Sequence, residues 1–221
     1  MMELVEFFFQ LWIARWAVLK GLGITVMISL LAIAGGTLLG IGVGLVLTYG
    51  ERVSRFIARI FVDYVRGTPV FVLVLASFYL LTEIGVHLTA FQAGLFALTV
   101  FCSTHVGETT RGALQSLPRG QMEAGKAIGL TFPQIFVYVL APQALRQALP
   151  TWVNTATEIV KASTLLSVIG VAELLLTAKE IIARNFLTME FYLFAGLLYF
   201  LINFGIERAG RYVERRVALP S

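Results

Sequence analysis

The chain has 221 residues, of which 58% are hydrophobic and only 14% charged, and its net charge is +4. A soluble domain carries about a quarter charged residues, so the composition excludes an ordinary water-soluble globule and gives no nucleic-acid signature. One cysteine, Cys102, allows no internal disulfide, and two histidines beside it are too few for a metal site.

Residues 1–20 read as a helix lying at a membrane interface. Glu3, Glu6 and Gln10 share one helical face, and Trp12 and Trp16 suit headgroup depth. The acidic start and the lack of a small-residue cleavage site are not those of a signal peptide. Residues 21–50 then carry no charge, and residues 84–107 lack Asp, Glu, Lys and Arg. About twenty apolar residues cross a bilayer as a helix. The pattern predicts five spans, near 21–48, 58–82, 89–112, 134–157 and 188–208. In the first, AGGTLLGIGVG (34–44) has no nearby lysine to reach a phosphate, so its glycines read as a surface for close helix packing. Arg66, ahead of Thr68-Pro69, reads as an anchor at the start of a helix, with Asp63 as its partner. In the third span, Glu108 and Arg111 read as a solvated helix end, and His105 as a packing residue.

Between the third and fourth spans, QMEAGKAIGL (121–130) forms a short helix bounded by Pro118 and Pro133. Met122, Gly125 and Gly129 fall on one stripe, widened by Ala124, Ala127 and Ile128. Two glycines on one face suggest close approach of another backbone. Spacing alone leaves two readings open: a linker packed on the chain's own spans, or a docking helix for another protein.

The fourth span holds Pro142 and Pro150 and runs into NTATEIVKAST and LLSVIGVAELLL. Neither 147–157 nor 162–172 can span alone. Broken helices at membrane depth occur where they are buried in protein or line a cavity. Ionisable residues there are costly and mark functional sites, so Glu158 and Lys161, after Asn154, are substrate-path candidates. The competing reading is a mutual i, i+3 ion pair.

Twelve of the 17 basic residues form three clusters: Arg52, Arg55, Arg59 and Arg66; Arg111, Arg119, Lys126 and Arg146; Arg208, Arg211, Arg215 and Arg216. The positive-inside bias predicts an outer N-terminus and a cytoplasmic C-terminal tail, 209–221.

EAGKAIG, followed after nine residues by VLAP, resembles the coupling signature of bacterial ABC-importer permeases. RGALQSLPRGQMEAGKAIGLTFPQIFVYVLAPQALRQALP (111–150), VRGTP (65–69) and LLSVIGVAELL (165–175) resemble its polar amino-acid uptake branch, in the right order along the chain. The resemblance implies an all-α, MetI-like permease fold in one domain, 1–221, of the bacterial inner membrane. It makes 118–133 the coupling loop, with Glu123, Ala124, Gly125 and Gly129 docking on an ATPase dimer that binds ATP and magnesium, and no cofactor in this chain. It implies a second permease copy, an extracytoplasmic binding protein and an amino-acid substrate. NTATEIVKAST resembles the family's path-lining segment, so Asn154, Thr155, Glu158, Lys161, Ser163 and Thr164 are expected to line the route. Gly125, Ala141, Thr155 and Ala162 depart from the family pattern, and the acid missing at 155 favours neutral polar or acidic amino acids over cationic ones. The alternatives are a small secondary transporter or channel working without an ATPase and, last, a membrane enzyme, for which no nucleophile and base converge.

Overall fold

The computed structural model describes residues 2–217, and side chains over 5–216. Among the described residues all regular structure is helical. Helix α1, Met2–Tyr49, is 48 residues long and unbroken. At 1.5 Å per residue it measures about 72 Å, more than twice the roughly 30 Å of a hydrocarbon core. Of the interfacial helix expected over 1–20, the described residues 2–20 run without a break into the first span as part of α1. The reason is local, since no proline precedes Pro69 and the helix passes through Gly21 and Gly23. Gln10 Nε2 donates to Glu6 Oε1 at 2.8 Å, while Trp12 and Trp16 are exposed. The side chain of Glu3 lies outside the described residues. Phe7 is buried against Phe191 and Phe194 of α9, Thr188–Val217, with ring centroids 5.2 and 6.0 Å apart.

The centre of the molecule is the seam between α1 and α4, Ala90–Gln115. Gly36, Gly40 and Gly44 face Cys102, Val106 and Thr110. A Cβ on Gly40 would lie 2.6 Å from Val106 Cβ and 2.7 Å from the Ser103 carbonyl oxygen, closer than atoms can pack. The glycines of 34–44 that face α4 thus serve close helix packing, as the sequence predicts. Cys102 is buried in the same seam. A Thr89–Gln92 capping box starts α4.

Among the described residues three helices, α1, α4 and α9, are individually long and apolar enough to cross a membrane, and two bent pairs bring the number of spans to as many as five. The expected second span, 58–82, is not one straight helix. It divides into α2, Arg52–Gly67, and α3, Val70–Glu83, bent by 106°. Pro69 causes the break: it lacks an N–H and forces Thr68 into extended backbone, with ψ 131°.

The fourth segment is longer than its expected range, 134–157. After α5, Arg119–Ala127, come α6, Phe132–Ile135, one π-type turn over Phe136–Leu140, and α7, Ala141–Ala162. A 3₁₀ segment, Ser163–Ile169, leads to α8, Leu174–Asn185, at a 50° bend. The π-type turn sits next to Pro142, whose missing N–H disturbs the local ladder. Pro150 removes one further ladder bond without ending α7.

Candidate functional site

Helix α5 sorts its residues between two surfaces. Gly125 is buried, and a Cβ there would meet Ile135 Cγ1 of α6 at 2.7 Å. Glu123, Ala124, Lys126, Ala127 and Ile128 are exposed, and Ile128 keeps 76% of its surface open. Gly129 lies past the helix end with φ +81°, in the left-handed conformation that glycine adopts without strain. The buried side of α5 fits the linker reading, and its other side is open. Gly125 packs α5 on the chain's own next helix, and Gly129 ends it, so the two do not share one docking stripe as expected. The outward face belongs to Glu123, Ala124, Ala127 and Ile128.

Helix α7 presents the second surface. Gln147, Thr151, Asn154, Glu158 and Lys161 are all exposed. Their 4-3-4-3 spacing places them on one helical stripe. Polar side chains cannot face lipid tails without cost, so the stripe faces water or another protein chain. No ion pair joins Glu158 to Lys161 among the described residues.

The other expected path residues turn inward. Thr155 and Ser163 are buried, and their hydroxyls donate to the Thr151 and Val160 carbonyls at 3.2 and 2.8 Å. Half-buried Thr164 donates to the Lys161 carbonyl at 2.7 Å. These hydroxyls are satisfied by their own backbone. The structure therefore brings Asn154, Glu158 and Lys161 together and separates Thr155 and Ser163 from them.

Two charged clusters escaped the sequence reading. Glu108 is no solvated helix end: its side chain is 13% exposed and bridges two arginines. Arg59 of α2 donates to Glu108 Oε1 at 2.6 Å, and Arg111 to Oε2 at 2.6 Å. Asp63 pairs with Arg59 at 3.6 Å rather than with Arg66. The second is Glu173, fully buried, which caps α8 by accepting from Leu175 N at 3.0 Å and Leu176 N at 2.8 Å. Tyr199 of α9 also donates to it, and Thr25 of α1 accepts from Leu174 N at 3.1 Å. The signal was present, because Glu173 is the one charged residue between Lys161 and Lys179.

Long apolar helices and bent spans define a multi-pass membrane protein. Residues 36–219 match the family of binding-protein-dependent transport system inner membrane components. The chain belongs to that family. It is 33% identical over 214 residues to the glutamine transport system permease protein GlnP of Escherichia coli (strain K12), covering 94% of this chain and 98% of the relative. It is also 33% identical over 205 residues to the L-cystine transport system permease protein TcyB of Bacillus subtilis (strain 168), covering 91% and 87%. A crystal structure of an amino acid ABC transporter with histidines superposes with a TM-score of 0.85 at 29% identity, over 93% of this chain and 97% of the other. The inward-facing MetNI methionine ABC transporter, at 22% identity and TM-score 0.78 over 93% and 98%, shares the fold. The relatives are permease subunits, which favours the importer reading over a secondary transporter or channel.

Proposed function

We propose that this chain is the permease subunit of an ATP-driven importer of polar amino acids, with its N-terminus outside and its tail in the cytoplasm. The carrying observation is the outward stripe Asn154–Glu158–Lys161 on a membrane helix. It needs an aqueous face, and a path between this chain and a second permease copy, identical or similar, supplies one. Glu158 accepts the substrate ammonium and Lys161 donates to its carboxylate, with neutral polar or acidic amino acids preferred. The relatives' glutamine and cystine names support an amino-acid cargo.

The exposed face of α5 docks on a separate ATPase dimer, which binds ATP and magnesium. Glu123 and Ile128 are among its exposed groups. Closure of the ATPase then rocks the two permease copies about the path, which is alternating access in rigid-body form. An extracytoplasmic binding protein delivers the substrate.

The test is ATP hydrolysis in lipid nanodiscs by the chain co-purified with its ATPase, with and without binding protein, across an amino-acid panel. One amino acid should stimulate hydrolysis, and Glu123→Arg should separate or uncouple the complex. Solute movement by the chain alone, without ATP, would sink the proposal.

A further inference from the structure

Helix α2 is placed between two spans yet is not built as a span. At 3.6 residues per turn its charged side chains, Arg52, Arg55, Arg59, Asp63 and Arg66, fall within an arc of roughly 80°. Val62 and Val65 are buried and form the packing face. The remaining arc is apolar and open: Val53, Phe56, Ile57, Ile60 and Tyr64 are 54–70% exposed. Five charges on 16 residues make a transmembrane placement costly.

Position narrows what covers the apolar arc. Helix α1 ends at Tyr49 and α3 begins at Val70, so both ends of α2 sit within three residues of an apolar helix. The 106° bend sets α2 nearly perpendicular to α3. With α3 in the bilayer, α2 runs along the membrane surface. Only Arg59 of its arginines is ion-paired among the described residues, to Glu108 and Asp63. Arg55 holds the Gly50 carbonyl at 2.9 Å, and Arg52 and Arg66 have no carboxylate partner among the described residues. A basic stripe beside an open apolar stripe is the composition of an in-plane interfacial helix that prefers anionic lipid.

We infer that α2 is a membrane-surface element that binds anionic phospholipid. Its apolar arc rests on acyl chains, Arg52, Arg55 and Arg66 meet headgroup phosphates, and the Arg59–Glu108 bridge fastens it to α4.

The test uses the permease–ATPase complex in nanodiscs, with a bimane label on Val53→Cys. The native Cys102 is buried, so the label reports the introduced thiol. Spin-labelled phosphatidylglycerol should quench it more strongly than spin-labelled phosphatidylcholine. The preference should fall by up to about fivefold per arginine removed in Arg52→Gln/Arg55→Gln, the equivalent of about 1 kcal/mol per basic residue at an anionic surface. The Arg52→Lys/Arg55→Lys variant should retain it. A label quenched by neither lipid, because a second copy or the ATPase covers the face, overturns the inference. So does equal quenching by both lipids that ignores the arginines.

Discussion

The α1–α4 seam and the outer face of α7 are both surfaces of membrane helices, and they are completed in opposite ways. In the seam, Gly36, Gly40 and Gly44 bring two backbones together inside one chain, and little is left for a partner to add. On α7, Gln147, Thr151, Asn154, Glu158 and Lys161 remain open and polar where lipid would be unfavourable. Shape complementarity within the chain stabilises the subunit, while the open polarity of α7 is where we propose that a second permease copy completes it. Substitutions in the first should change stability, and those in the second should change transport.

The largest effect is expected at Gly40→Leu. The nearest obstacle includes the Ser103 carbonyl, which cannot move aside as a side chain could, so the cost should be about 3 kcal/mol, at the upper end for overpacking. A thermal unfolding midpoint in detergent equal to that of the parent would show the seam to be loose. Glu173→Ala removes the α8 cap and the carboxylate acceptor of the Tyr199 hydroxyl. About 2 kcal/mol should be lost, read as a lower midpoint. Substrate stimulation of ATP hydrolysis should survive in the molecules that remain folded.

Glu158→Gln should reverse that pattern. Uptake should fall on the order of tenfold, which corresponds to about 1.4 kcal/mol and lies near the low end for a hydrogen bond to a charged group. The melting midpoint should not move, because Glu158 is exposed and has no ion-pair partner in the described chain. A destabilised variant with normal uptake would invert the comparison. The smallest effect belongs to Arg59→Gln. Its side chain is 39% exposed, so solvent screening limits the loss to under about 1 kcal/mol. Hydrogen exchange should nevertheless rise in α2 relative to α4, since the Glu108 bridge joins them.

Much of the molecule was legible from residue order alone. Uncharged runs located the membrane segments, because hydrocarbon tolerates no unpaired charge, and Pro118 and Pro133 framed α5 because proline cannot continue a helix backwards. Glu158 and Lys161 stood out as candidates by their cost in a membrane. What periodicity could not supply was direction. Thr155 and Ser163 belong to the same polar run as Glu158, yet their hydroxyls bond the backbone and they pack inward. Gly125 and Gly129 looked like one stripe until the helix was seen to end at Ala127.

By itself, the sequence determined an all-helical membrane chain with glycine-lined packing, a short surface helix and two ionisable residues on one face of α7, since these follow from hydropathy and local backbone chemistry. Only the tertiary structure decided that residues 2–20 continue into a 48-residue helix and that Pro69 bends its segment by 106°. It alone placed Glu108 between two arginines and Glu173 under Tyr199. The physical reason is range. Propensity and transfer cost act within a turn or two of helix, whereas bend angle, burial and ion pairing depend on residues as distant as Thr25 and Leu174, which only the folded chain brings within 3.1 Å.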